Sequence, residues 1–283
     1  MPIRFASLDR CSQAARACNE DAVGATAAAA WVIDGTKGPF DHRLTPGLSD
    51  ATWYAEALNA ALHTYFAAPP AEPLPSLSRA AAELSRTYLR NAREAPAHEQ
   101  PSACLALAAL DAAGMLHLFN IGDCRILIEQ ASGVRPFGSS GIERLEQAAI
   151  AELARLRATH GAAGDPWIEL RATLRRNFET AMNRPGGYWV THPTLPWLHQ
   201  VQTASLAAGT VDHLLIASDG FFRLVNVFGA YDEAGLIWAA RARGLAALCA
   251  ELRSREAEDD TCRRYPRLKA SDDASAVLVR VRG

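Results

Sequence analysis

Residues 27–35 read AAAAWVIDG, an apolar run that ends abruptly in Asp34 and Gly35. Residues 25–33 are rich in apolar and small side chains and are bounded by polar turns, a pattern that predicts a strand. Asp34 would then stand where a buried strand ends. A carboxylate in that place is an ordinary turn former or a candidate ligand.

Three further acidic clusters lie beside predicted strands. Asp219 and Gly220 follow the apolar residues 214–217, and Asp272 with Asp273 precedes the apolar run 274–281; residues 19–21, Asn-Glu-Asp, form the third. Carboxylates at strand ends that lie far apart in the sequence predict one oxygen-lined metal site assembled by the fold. A hydrolytic metalloenzyme is therefore the leading hypothesis.

For any single carboxylate, a local turn is the simpler interpretation. The glycine directly after Asp34 and after Asp219 favours a joint role, since glycine lets the backbone approach a bound ion and exposes a carbonyl. Oxygen ligands without a nearby His or Cys favour Mg²⁺ or Mn²⁺ over zinc or copper. Such a cluster could hold two cations roughly 4 Å apart, the spacing that activates a water beside a phosphoryl group.

Strands and helices follow one another in blocks along this chain. Apolar residues recur at helical spacing over 53–66 and 77–89, whereas 104–110 and 115–120 predict a hairpin around residues 111–114. Residues 188–191 are predicted to form a further strand. This order favours an α+β fold of mostly antiparallel sheets with helices on their outer faces. We predict one domain, 1–283, with a helical insertion or flap at about 140–183.

Composition narrows the function classes. The chain has 283 residues, 49% of them hydrophobic, and a net charge of −2. No basic field would recruit nucleic acid or an acidic membrane, and no apolar run approaches the roughly 20 residues that span a bilayer. The first residues lack the apolar segment of a secretory signal, so a cytoplasmic protein is expected. The six cysteines form no Cys-x-x-Cys pair, which favours free thiols.

Five short motifs, taken in order, resemble one protein family. They are RACNED at 16–21, VIDG at 32–35, NIGDCR at 120–125, ASDG at 217–220 and DDAS at 272–275. Each motif is weak alone, but together they resemble the metal-dependent type-2C serine/threonine protein phosphatases, the PPM family, in a divergent bacterial-type branch. The resemblance implies a central antiparallel β-sandwich flanked by helices, in α-β-β-α layers, with two Mn²⁺ or Mg²⁺ ions at one end.

The resemblance also implies the ligands of the two ions. Asp34 would bridge both ions. Asp219 and Asp272 would complete one position, and Glu20 with the Gly35 carbonyl would complete the other.

The remaining roles follow from the same resemblance. Asp21 and Asp273 would orient bound waters, and Arg16 would bind the substrate phosphate, unless it only pairs with a surface carboxylate. A water bridging the two ions would attack phosphorus directly, without a covalent enzyme intermediate.

Two residues, Lys37 and Arg223, depart from the family pattern, and a third, Asp123, has two alternative roles in it. Lys37 stands at the channel mouth, where it would attract phosphate or point to solvent. Arg223 replaces an acidic residue that would help to hold a third metal, so weak or absent third-metal binding is predicted. Asp123 would help to bind that third metal, or would simply form the turn after Gly122.

The leading functional hypothesis is hydrolysis of phosphoserine and phosphothreonine in proteins. A catalytically weak pseudophosphatase that acts as a binding module is the first alternative, and a hydrolase of small phosphorylated molecules is the second. The substrate, the oligomeric state and the choice between Mn²⁺ and Mg²⁺ stay open at this level.

Overall fold

The computed structural model describes residues 3–139, 141–160 and 165–282 of the chain. Its centre is a pair of five-stranded antiparallel sheets. The first sheet contains, in spatial order, β1 (Arg4–Gln13), β10 (Ala274–Arg282), β9 (Val211–Ala217), β6 (Arg125–Gln130) and β7 (Gly133–Phe137). The second contains β2 (Asp21–Ala25), β3 (Ala29–Thr36), β4 (Ser102–Leu110), β5 (Met115–Ile121) and β8 (Gln202–Ala207).

Strand β3 shows why the opening run is apolar on both faces. Successive side chains of a strand point to opposite sides of the sheet. Ala30 and Val32 enter the core between the two sheets, whereas Trp31 and Ile33 pack under the helices that cover the second sheet. All four residues are fully buried, so the strand reads as a continuous apolar run rather than as an alternating one.

Helices cover both outer faces of the sandwich. Helices α1 (Asp50–Tyr65) and α2 (Pro73–Asn91) pack on the second sheet, and Ser49 caps α1 by accepting the backbone N–H of Ala51. Helices α5 (Asp219–Asn226), α6 (Glu233–Arg243) and α7 (Leu245–Glu258) pack on the first sheet. The α-β-β-α layering confirms the predicted α+β sandwich.

Helices α3 (Ile142–His160) and α4 (Pro166–Ala181) lie in the segment 140–183, for which an insertion or flap is predicted. They pack on each other through a small cluster of their own that includes Leu153 and Leu170, and Leu268 also packs against this cluster. Residues 140 and 161–164 of this segment lie outside the described residues. No helix in the described ranges is long and apolar enough to cross a membrane.

The sequence prediction was wrong in one place and incomplete in four. Residues 188–191 form no strand, because Thr191 makes only an isolated bridge with Ala103 while the Asn183 side chain bonds the backbone of Val190. Strands β2, β7 and β8 and helix α5 were not predicted. Strand β8 reads QTASLA, which carries too few apolar residues to stand out from a polar loop.

Candidate active site

The first part of the site is the end of the β2–β3 ladder. Asp21 lies directly opposite Asp34 across the two strands. The Gly35 N–H donates to the Glu20 carbonyl at 3.0 Å. A Cβ on residue 35 would overlap that oxygen and lie 2.8 Å from the Ala51 carbonyl oxygen. Glycine is therefore required here by the close approach of three chain segments.

The second part lies where β9 and β10 meet on the other sheet. Ser218 follows β9, and its hydroxyl accepts the Ser275 N–H at 3.0 Å while its own N–H donates to the Ser275 carbonyl at 2.9 Å. These two hydrogen bonds hold Asp219, the first residue of α5, beside the segment that carries Asp272. Gly220 completes the contact, because a Cβ there would overlap the Asp273 carbonyl oxygen.

The third part is the turn at Gly122 and Asp123, which joins β5 of one sheet to β6 of the other. The turn brings Asp123 to the same end of the sandwich as Asp34 and Asp219. Its Oδ1 atom is buried and has no hydrogen-bond partner among the described residues. An unpaired buried carboxylate oxygen is costly, so it points to a partner that binds there.

An open cavity of about 330 Å³ adjoins the acidic cluster. Glu20, Asp272 and Asp273 form its acidic wall, and Arg16 and Lys37 lie on its rim, both exposed. The Asp273 carboxylate accepts the backbone N–H groups of Ala15 and Glu20, at 2.7 and 2.6 Å, and so fixes the loop that carries Arg16. Among the described residues no carboxylate lies within ion-pair distance of Arg16, which leaves its guanidinium available to an anion.

Comparison with known proteins gives the fold. No family model and no curated protein sequence matches this chain. The serine/threonine phosphatase PstP/Ppp of Mycobacterium tuberculosis superimposes with a TM-score of 0.57 at 15% identity, over 99% of each chain. Stp1 of Staphylococcus aureus gives 0.59 at 13% identity, over 100% of this chain and 98% of that one. The PstP catalytic domain in complex with two manganese ions gives 0.56 at 15% identity, over 99% of each chain. This chain has the serine/threonine phosphatase fold.

Within this phosphatase fold the carboxylates raise one another's pKa. Burial, followed by the charges of Asp21, Asp219 and Asp123, raises the pKa of Asp34 well above its usual value. Burial and the charges of Asp219, Asp273 and Asp272 do the same for Asp21. For Asp123, burial and Asp219 raise the pKa to about 7. Like charges gathered in a poorly solvated place need a cation to coexist in ionised form.

The residues of the cluster fit divalent cations. All the candidate side-chain donors are carboxylate oxygens, the ligand type that Mg²⁺ and Mn²⁺ prefer. Among the described residues, neither the buried Oδ2 atom of Asp21 nor the buried Oδ1 atom of Asp123 has a hydrogen-bond partner. Over the described ranges, however, no three His, Cys, Asp or Glu side chains already converge closely enough to cage an ion.

Asp272 shows one reason for this incomplete convergence. Its Oδ2 accepts from Arg223 Nη2 at 2.9 Å, and its Oδ1 accepts from Lys269 Nζ at 3.0 Å. Burial raises the Asp272 pKa, but the charges of Lys269 and Arg223 outweigh burial and hold that pKa below its usual value. Among the described residues, Asp272 is therefore the one carboxylate of the cluster that forms ion pairs with Lys or Arg side chains.

Sequence reasoning missed Lys269, Glu146 and Ser49. Lys269 sits in a charged loop without a motif, three residues before Asp272. Glu146 arrives on α3, where burial and the charge of Asp219 raise its pKa. The Ser49 hydroxyl donates to the Glu20 carboxylate while it also caps α1. Of these three contacts, only that of Lys269 has a signal in the sequence, which is its spacing of three residues from Asp272.

Proposed function

We propose that this chain is a divergent bacterial-type member of the PPM family that hydrolyses phosphoserine and phosphothreonine in proteins with divalent cations. The observation that carries the proposal is the acidic cluster, with buried and half-buried members, at one end of a phosphatase-type sandwich. Its members come from five separate segments of the chain. The cluster adjoins an open cavity lined by Arg16, whose guanidinium makes no ion pair among the described residues.

The proposed ligands are the residues that the motifs single out. Asp34, Glu20, Asp219 and Asp272, with the Gly35 carbonyl, would hold two Mn²⁺ or Mg²⁺ ions. When bound, such ions lower the pKa of water and neutralise charge on phosphoryl oxygens. Asp21 and Asp273 would support these ligands, and Asp123 would favour a further, weaker cation.

The rim of the cavity would bind the phosphate. Arg16 offers a planar cation that can donate two parallel hydrogen bonds to phosphate oxygens. Asp273 holds the backbone on both sides of Arg16, so the guanidinium starts from a fixed place. Lys37, which lines the same cavity, would add long-range attraction. The openness of the cavity suits a phosphorylated side chain on a protein surface.

A phosphopeptide panel assayed with Mn²⁺ and with Mg²⁺ tests the proposal. We expect hydrolysis that a chelator abolishes, and a loss of at least about 100-fold in kcat/KM in Asp34→Ala and Asp219→Ala, since metal-held charge stabilisation supplies several kcal/mol. Asp212→Ala is the matched control, because Asp212 is an exposed carboxylate on β9 outside the cluster. Hydrolysis that survives chelation, or survives both cluster variants, would refute the mechanism.

The pairing of Asp272 with Arg223 and Lys269 favours one alternative, a binding module with little turnover. That alternative predicts Mn²⁺ binding without hydrolysis of any phosphopeptide or small phosphate ester. Cleavage of metabolite phosphates alone would instead indicate a small-molecule phosphatase.

A further inference from the structure

Both oxygens of Asp272 are engaged by cationic side chains of the same protein, which compete with a metal ion for its negative charge. Arg223 and Lys269 occupy one oxygen each, at 2.9 and 3.0 Å. A divalent cation at Asp272 must therefore displace at least one of them, or lie beside two positive charges. The two side chains differ in how easily they can move away from Asp272.

Arg223 is held in place. Its side chain is about 5% exposed, and Nη1 lies 3.2 Å from Oε1 of Glu256, which is itself buried. Glu256 Oε2 in turn lies 2.6 Å from Arg253, whose Nη1 also donates to the Asp272 carbonyl at 2.8 Å. Withdrawing Arg223 would leave a buried charge uncompensated, which is strongly unfavourable.

Lys269 is free to leave. Its side chain is 48% exposed and lines the cavity beside the acidic cluster. The loop backbone around it is nevertheless fixed, because the buried Arg267 donates to the Ala270 carbonyl at 3.0 Å and to Asp259 at 2.8 Å. The ammonium can therefore rotate into water on its flexible stem while its Cα stays in place.

We propose that Lys269 is a built-in competitor that weakens divalent-cation binding at the position containing Asp272 and gives way by rotating into the cavity. The inference deepens the proposed function and rests on it. One ion then binds tightly to the rest of the cluster, and the ion at Asp272 binds more weakly. Lys269 thereby makes full metal loading depend on the free metal concentration.

Calorimetric titration of Mn²⁺ into chelator-stripped protein tests the inference without any activity assay. In the wild type we expect one tight and one weaker ion. In Lys269→Gln the dissociation constant of the weaker ion should fall about tenfold. The substitution removes the repulsion between the Lys269 ammonium and the nearby Mn²⁺, which the partial exposure of the site only partly screens. Lys269→Arg keeps the charge and should behave as the wild type does.

Lys37→Gln is the matched control. Lys37 lines the same cavity and carries the same charge, but its Nζ contacts the Phe40 carbonyl, at 3.4 Å, rather than a carboxylate of the cluster. It should change either dissociation constant much less than Lys269→Gln does, because its ammonium contacts a backbone carbonyl rather than Asp272. In an Asp272→Asn background, Lys269→Gln should lose its effect, since the competed oxygen has gone. Thermal unfolding of each stripped variant checks that it is folded.

The inference is overturned if Lys269→Gln binds Mn²⁺ as the wild type does, if Lys37→Gln tightens binding equally, or if the effect persists without Asp272. These outcomes leave chelator-sensitive phosphopeptide hydrolysis intact. The proposed function fails if the wild type binds no Mn²⁺ or if hydrolysis does not require the cluster. Absence of Mn²⁺ binding would also overturn the inference about Lys269.

Discussion

Single residues set the close contacts on which the acidic cluster depends. Gly35 and Gly220 each follow a proposed ligand, and each lies against a backbone carbonyl at a distance that excludes a side chain. The sequence suggested that these glycines admit an ion. The structure adds a second reason, which is that they let the chain's own segments meet. Gly220 joins α5 to the residues that precede β10, and so fixes Asp219 relative to Asp272.

Gly220→Ala should therefore separate the two carboxylates. The new Cβ would overlap the Asp273 carbonyl oxygen, so we expect a loss of about 2 kcal/mol in the free energy of unfolding, typical of an overpacked site. Mn²⁺ affinity should fall as well. Gly209→Ala is the control, because a Cβ at that position meets nothing within 4 Å. Equal denaturant midpoints for the two variants would contradict this account.

At the scale of elements, the loop between α7 and β10 decides where Lys269 and Asp272 stand. The loop lacks regular structure, yet one buried arginine organises it. Arg267 is 2% exposed and donates to Asp259, whose carboxylate also accepts the backbone N–H groups of residues 263–265. The sequence of this charged segment is typical of a surface loop, yet its backbone is anchored by the buried ion pair between Arg267 and Asp259.

Arg267→Ala should loosen this loop. Removing one partner of a buried ion pair leaves the other uncompensated, so we expect a loss of roughly 3–5 kcal/mol in the free energy of unfolding. Hydrogen exchange should become faster across residues 259–273. Arg264→Ala is the control, because Arg264 is exposed and its guanidinium only stacks on Tyr265. Unchanged exchange in Arg267→Ala would show that the loop is held by other contacts.

At the scale of the whole molecule, the acidic cluster links stability to pH and to metal. The pKa values of Asp21, Asp34 and Asp123 are raised. The stability that each group contributes is present below its unfolded pKa and is lost as pH rises through its folded pKa. At neutral and alkaline pH the metal-free fold therefore carries repulsion that a bound cation would relieve.

Mn²⁺ should raise the melting temperature more at pH 8 than at pH 5.5, because protons compete with the metal for the same oxygens. At 100 times the dissociation constant, binding adds about 2.7 kcal/mol, or roughly 4–5 °C for a chain of this size. Differential scanning calorimetry measures the melting temperature at each pH, with and without Mn²⁺. Asp212→Ala should keep the full shift, whereas Asp34→Asn should lose much of it and melt higher than the wild type in chelator at pH 8.

The sequence by itself determined the sandwich and the identity of its carboxylates. Apolar periodicity marked most strands and helices, and the Asp-Gly motifs, taken in order, pointed to the phosphatase fold. Only the tertiary structure decided what those carboxylates contact. Arg223 reaches Asp272 from a helix that no local pattern links to it, and Glu146 lies on α3, far from the other carboxylates in the sequence. Local patterns report burial and backbone preference, whereas ion pairs between distant segments depend on how the sheets, the loop and the helices pack together.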